Sequence, residues 1–224
     1  MLTPHFTLDS SPSRRISHTT RLALITMLLA LTSGCAIARI SEQTHNETST
    51  PTSLQKGPVA LIFGESATET IKELEAYSRH YRSGISTRLY TDAIRQAYIE
   101  TSAPEPGVAT VTRMLETRLG KVHRFPSLEE ASRAGYAVIV QLDMQVQLIN
   151  NRSSKPASDL SLTFYSADQH YLGTVKGSSH RTLTPLWAGN KRESEIVSDI
   201  RQQGEVQAQA LELLRQNLMN IPQS

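Results

Sequence analysis

The stretch "YAVIVQLDMQVQL" at residues 136–148 decides the fold, because it has the pattern of one long β-strand with two different faces. After Tyr136, every even-numbered position is apolar, and these positions are Val138, Val140, Leu142, Met144, Val146 and Leu148. The odd positions begin with Ala137 and Ile139 and continue with the polar residues Gln141, Asp143, Gln145 and Gln147. Since strand side chains alternate between two faces, the pattern predicts a strand that is buried on both faces at first and on one face later.

Short elements flank this strand on both sides. Before it, Ser127-Leu128-Glu129-Glu130 fits a capping box, in which two side chains satisfy free backbone N–H groups at a helix start, and Gly135 fits the helix end. A polar loop at 150–156 follows the strand. The alternating stretch "LSLTFY" (160–165), the turn "SADQH" and the stretch "YLGTVKG" (171–177) then predict a β-hairpin.

Apolar periodicity predicts the remaining elements. Residues 58–63 have strand length, a four-residue period from Ile85 to Tyr98 predicts one amphipathic helix, and helical spacing recurs at 71–81 and 111–119. The long C-terminal helix has a predicted core stripe of Ile196, Ile200, Val206, Ala210, Leu214 and Leu218. The order of elements predicts an α+β or α/β fold, with a small mixed β-sheet that contains a hairpin and is packed by helices, including the C-terminal one.

The N-terminus has the layout of an export signal. Three arginines precede the apolar run "LALITMLLAL" (22–31), which is too short to span a bilayer as a helix, since spanning takes about 20 residues. The run ends in Leu31-Thr32-Ser33-Gly34-Cys35, which resembles the lipobox of bacterial lipoproteins. Cys35 is the only cysteine, so an internal disulfide is excluded. An ordinary signal peptide with a chance cysteine is the alternative.

The lipobox resemblance implies that cleavage precedes Cys35 and that this cysteine carries diacylglycerol and a further acyl chain such as palmitate. Ala36 in place of an aspartate favours the periplasmic face of the outer membrane. We therefore predict a signal peptide at 1–34, a lipidated N-terminus with a flexible tether at 35–57, and a single α/β periplasmic domain at 58–224. The tether prediction rests on a composition rich in Ser, Thr, Asn and Gln.

Charge argues against a nucleic-acid partner. The chain has 23 basic and 21 acidic side chains, and the predicted signal peptide contains three arginines and Asp9, so the mature protein has a formal charge of zero. Nucleic-acid binding depends on clustered Lys and Arg, and the sequence has no such cluster. The predicted partners are the membrane, through Cys35, and other proteins.

The first strand "VALIFG", the strand "YAVIVQLDMQVQL", the hairpin and the final helix together resemble a recurring lipoprotein domain. It is the domain of the TolB amino-terminal, CsgG and PelC-like proteins. The resemblance implies a non-enzymatic role in an envelope assembly or export system, with a homo-oligomer as one expectation and the protein partners unidentified. Trp187 is one candidate partner surface, and a core position is the alternative for this side chain. The other candidate is the polar strand face, which consists of Gln141, Asp143, Gln145 and Gln147.

Two other functions compete with this one. The segment "FGESA" (63–67) resembles the nucleophile elbow of carboxylesterases, with Ser66 as the nucleophile, but Thr68 replaces the second glycine and the chain has no HGGG loop. A small-ligand-binding lipoprotein is the second alternative and predicts a concave pocket with converging polar groups. No cofactor is predicted, and no metal site either, since His170 and His180 lack ligand partners at metal-binding spacing.

Overall fold

The computed structural model describes residues 49–150, 153–187 and 189–223. Its centre is a five-stranded sheet in the order β2-β1-β3-β4-β5. β1 pairs in parallel with both β2 and β3, while the β3–β4 and β4–β5 pairs are antiparallel, which confirms the predicted mixed sheet and hairpin. The strands are β1 (Val59–Phe63), β2 (Val122–Arg124), β3 (Val138–Gln147), β4 (Ala157–Ser166) and β5 (Tyr171–His180).

Within the described ranges, five α-helices pack around the sheet, and the last is the predicted C-terminal helix. They are α1 (Glu65–Ser83), α2 (Asp92–Thr101), α3 (Glu105–Arg118), α4 (Leu128–Arg133) and α5 (Glu193–Met219). The Ser127 hydroxyl accepts a hydrogen bond from the Glu130 N–H, which confirms the serine half of the predicted capping box at the start of α4.

The single helix predicted from Ile85 to Tyr98 is wrong. A short 3-10 turn (Ile85–Leu89) ends at Tyr90, and α2 begins after Thr91. The Thr91 hydroxyl accepts a hydrogen bond from the Ile94 N–H at 3.5 Å. This N-cap starts a new helix inside the apolar period, because a capping threonine adopts an extended backbone that interrupts helical geometry.

The even-numbered side chains of β3 lie in the main core, as the alternation predicts. Val140 and Leu142 are buried there against side chains of α1, α3 and α5, and every residue of the predicted α5 stripe is buried. On the other face, Ile139 packs with Ala60, Ile62 and Ala131 of α4 in a smaller cluster. α4 covers the start of this face, and the remainder of the β3 face is polar.

Residues 49–57, which the sequence analysis assigned to the tether, pack on the domain. Leu54 is fully buried in the main core, and its N–H donates to the Pro222 carbonyl at 3.1 Å. The Thr174 N–H of β5 donates to the Ser49 carbonyl at 2.9 Å, so the incoming chain lies along that strand. The packed region therefore begins before Pro58, because Leu54 is buried in the core although the residues around it are mostly polar.

The contact between β5 and α5 depends on a glycine. A Cβ at Gly177 would meet the Ala210 carbonyl oxygen and the Leu214 nitrogen of α5. Gly177→Ala should therefore lower the free energy of unfolding by about 2–3 kcal/mol, since neither backbone group can yield without moving the helix. Urea denaturation followed by circular dichroism measures this.

Gly107→Ala is the matched control. Gly107 lies in α3 with open space around its would-be Cβ, so alanine there should raise stability by about 0.5–1 kcal/mol. Equal effects at the two glycines would contradict the close packing of β5 against α5.

Candidate functional site

The polar face of β3 begins where β1 ends. Gln141 and Asp143 are half-buried there, whereas Gln145 and Gln147, farther along the strand, are exposed. The Gln141 amide donates to Asp143 Oδ2 at 2.8 Å, and the Ser66 hydroxyl donates to Asp143 Oδ1 at 2.9 Å. The structure thus links two of the four predicted strand residues into a cluster and adds Ser66 from the first turn of α1.

Gly64, at the turn between β1 and α1, makes room for this cluster. A Cβ at Gly64 would overlap Asp143 Oδ1 and lie 2.8 Å from Asp143 Cγ and 2.9 Å from the Gln141 amide nitrogen. The first glycine of the "FGESA" segment is therefore explained by close packing against a neighbouring strand. Nearby, Tyr165 has a raised pKa, caused first by its burial and then by the negative charge of Asp143.

The hydrogen-bond partner of Ser66 differs from that of a typical serine hydrolase nucleophile. In the described ranges, the hydrogen-bond partner of the Ser66 hydroxyl is a carboxylate, and no histidine bonds to it. The ring of His80 contacts Tyr81 and that of His123 contacts Tyr136, while His170 and His180 are exposed near the two ends of β5. A serine nucleophile needs an adjacent base that removes its proton, and usually an oriented imidazole fills that role.

A polar depression of about 350 Å³ adjoins the cluster. It brings Gln145 and Gln147 together with Ser66, Glu69 and Asp159. Its charged side chains are acidic, yet within the described residues no three His, Cys, Asp or Glu side chains are arranged to hold a metal ion. Gln147 donates to the Ser153 hydroxyl at 3.0 Å and so contacts the loop that follows β3.

Trp187 lies at the opposite end of α1, on a column of aromatic rings. Its indole stacks on Tyr90, with ring centroids 5.5 Å apart and planes 11° from parallel. Tyr90 in turn stacks on Tyr81, which stacks on Tyr98 at 4.0 Å. Trp187 remains 47% exposed, so the side chain is neither a buried core residue nor free of packing.

Two apolar side chains in the turn before Tyr90 were not recognised as surface residues in the sequence. Ile85 is 78% exposed and Leu89 is 91% exposed, and both belong to the 3-10 turn that leads into Tyr90. We call Ile85, Leu89, Tyr90 and Trp187 the aromatic tip. The Thr91-Asp92 pair, a common N-cap sequence, was the signal that could have separated Ile85 and Leu89 from the buried face of α2.

The base of the aromatic tip is tightly held. The Tyr77 hydroxyl donates to the Ile149 carbonyl at 2.7 Å. The pKa of both Tyr77 and Tyr98 lies well above the usual tyrosine value, and burial is the largest cause of this shift. The loop that carries Trp187 is fixed by Lys191, whose ammonium donates to the Thr184 hydroxyl at 2.7 Å and pairs with Asp199 at 2.6 Å. The ring column and the loop of Trp187 are therefore each bonded to the rest of the domain.

Cys35, the predicted lipidation site, lies outside the described residues, as do the signal peptide and most of the tether. In the described part of the chain, no helix has the length and apolar character needed to cross a membrane.

Comparison with known proteins gives a weak structural likeness. No family model and no curated protein matches the chain. A solved structure, the dodecamer of a PelC variant from Paraburkholderia phytofirmans, is similar over 79% of this chain and 96% of its own, with 10% identity and a TM-score of 0.39. A likeness of this size assigns neither a site nor an activity to this chain.

Ser66 should not react as a hydrolase nucleophile. A fluorophosphonate probe should leave the protein unmodified, because the hydroxyl is bonded to a carboxylate and no histidine of the described ranges bonds to it. Intact-mass spectrometry measures the adduct, with Ser66→Ala as the matched control and trypsin as the positive control for the reagent. Stoichiometric labelling that is lost in Ser66→Ala would establish the hydrolase function instead.

Proposed function

We propose that this protein is a lipid-anchored lipoprotein of the outer membrane, facing the periplasm, that acts without catalysis through protein–protein contacts in an envelope assembly or export system. The observation that carries the proposal is the aromatic tip. Of the five large hydrophobic side chains that are exposed in the described residues, three lie there, namely Ile85, Leu89 and Trp187.

The chemistry of the aromatic tip fits a protein partner. Ile85 and Leu89 lie in the turn that leads into Tyr90, and Tyr90 stacks on Trp187. Exposed apolar surface marks interaction sites, and tryptophan and tyrosine are enriched among residues that dominate binding energy. The stacked rings beneath Trp187 keep its position fixed, so a partner meets a preformed surface and loses little conformational freedom at this side chain. The polar β3 face is a weaker candidate, because Gln141 and Asp143 already bond to each other.

The proposed anchor limits where the tip can act. Fourteen residue steps separate Cys35 from Ser49, where the chain joins β5. A fully extended chain covers at most about 3.3–3.6 Å per residue, so a lipidated Cys35 would keep Ser49 within about 50 Å of the membrane surface. The partner proposed here is accordingly a membrane protein or an envelope protein that the domain can contact while Ser49 stays within that distance.

Cys35→Ala should release the protein from the membrane. The variant lacks the thiol that would receive diacylglycerol, and firm anchoring requires two or more acyl chains. Membrane fractionation and intact-mass spectrometry of the full chain measure both consequences, and Cys35→Ser tests whether loss of the thiol alone is sufficient. An unacylated wild-type protein in the soluble periplasmic fraction would refute the anchor.

Photo-crosslinking from the aromatic tip tests the contact surface. With p-benzoyl-phenylalanine replacing Leu89, illumination of intact cells should give a discrete protein adduct, and Trp187→Ala in the same chain should reduce its yield about tenfold, the usual effect of losing a buried aromatic anchor. Mass spectrometry of the adduct identifies the partner. A second copy of this chain is one of the partners that the experiment can reveal.

The matched control places the same crosslinker at Leu172, a leucine of β5 that is 38% exposed and lies outside the tip. An adduct at Leu89 and none at Leu172 supports the proposal. Equal adducts at both positions, adducts to lipid alone, or no adduct at Leu89 would each refute the tip as a protein-contact surface.

A further inference from the structure

A groove of about 870 Å³ lies between α1 and α3, at the carboxyl ends of β1 and β2. Ile71 of α1 and Val108 and Ala109 of α3 contribute apolar walls, and Phe63, the last residue of β1, lies at one end. The volume falls within the range typical of small-molecule sites, which are mainly apolar with a few polar groups. The groove is separate from both the aromatic tip and the Asp143 cluster.

The two ends of the groove differ in charge. Glu75 and Glu105 also line a smaller neighbouring cavity with Arg79 and Arg82, so they mark one end of the groove. Two carboxylates lie at that end of the groove, with Lys72 one turn before Glu75 on α1, while Arg79 and Arg82 line only the neighbouring cavity. Phe63 and Arg124, at the ends of adjacent strands, mark the other end of the groove. Along α3, Arg113 lies eight residues beyond Glu105, which corresponds to about 12 Å of helix, so Arg113 is well separated from the Glu105 carboxylate.

Arg124 is positioned by an aromatic ring and has its charge available. Its guanidinium carbon lies 4.2 Å from the centre of the Phe63 ring. In the part of the chain that the structure describes, no salt bridge involves Arg124, Arg113 or Lys72. A guanidinium placed against an apolar wall and left without a carboxylate can form a bidentate pair with a ligand's acidic group. Glu116, one turn beyond Arg113, is the opposing charge at this end.

We propose that this groove binds a small amphipathic acid. The acidic group, a carboxylate or a phosphate, pairs with Arg124 and Arg113, and the hydrocarbon part lies along Phe63, Ile71 and Val108. Glu75 and Glu105 set the orientation, because they repel the acidic group from the opposite end. The site is a second binding function that does not depend on the contact role of the aromatic tip.

The test measures binding of three probes to the folded mature chain by ¹H–¹⁵N NMR titration. Decanoate carries both the acid and the chain, acetate carries the acid alone, and decyltrimethylammonium carries the chain with the opposite charge. Decanoate should bind about tenfold more tightly than either of the others, because only it satisfies both parts of the groove. Its shift changes should centre on Phe63, Ile71 and Val108.

Substitutions at the basic end test the assigned polarity. Arg124→Gln should weaken decanoate binding about tenfold or more, whereas Glu116→Gln should strengthen it by removing the opposing charge. Arg133→Gln, at an exposed arginine of α4 outside the groove, is the matched control and should leave binding unchanged. If Arg124→Gln fails to fold, Arg113→Gln on the exposed side of α3 replaces it in the same titration.

Three results would overturn the proposal. Equal binding of decanoate and decyltrimethylammonium would mean that the groove does not select charge. Unchanged affinity for decanoate in folded Arg124→Gln or Arg113→Gln would show that the arginine does not contact the acidic group. Shift changes centred on Leu89 and Trp187 would mean that the probe binds the aromatic tip through its chain alone. None of these results bears on the photo-crosslinking experiment, so the two functions fail separately.

Discussion

The structure depends on the mismatch in length between β3 and β1. β1 has five residues and pairs with β3 only as far as Leu142, so the second half of β3 has no strand on that side. Its backbone groups must still be bonded, because a buried carbonyl without a partner is costly. α1 supplies a partner to β3 and another just beyond it: the Thr70 hydroxyl donates to the Met144 carbonyl, and the Tyr77 hydroxyl donates to the Ile149 carbonyl after the end of the strand, both at 2.7 Å.

This arrangement explains where both the polar cluster and the aromatic tip lie. Asp143 is the first β3 residue beyond the end of β1, so its side chain meets the start of α1, where Ser66 bonds to it. Because Thr70 and Tyr77 then hold α1 along β3, the end of the helix projects past the sheet. Tyr81 and Tyr98 meet there and support Tyr90 and Trp187.

Local patterns in the sequence predicted the helices and strands well but predicted few of the side-chain contacts between them. The alternation in β3, the Ser127 cap and the α5 stripe are each specified by neighbouring residues, and the structure confirms them. The bond from Ser66 to Asp143 joins residues 77 positions apart, and no local period encodes it. The exposure of Leu89 was missed because its four-residue spacing also fits a buried helix face, whereas the actual backbone is a 3-10 turn.

The two proposed binding surfaces share α1 but should act independently. Ile71 faces the groove, while Tyr81, near the end of the same helix, supports the tip. Coupling between sites needs an element with two arrangements that both ligands bias. Between the two surfaces α1 is fixed by the Thr70 and Tyr77 bonds, and sliding the helix along β3 would break both at once. A ligand in the groove would therefore leave the tip in place, and a partner at the tip would meet the same surface whether the groove is filled or empty.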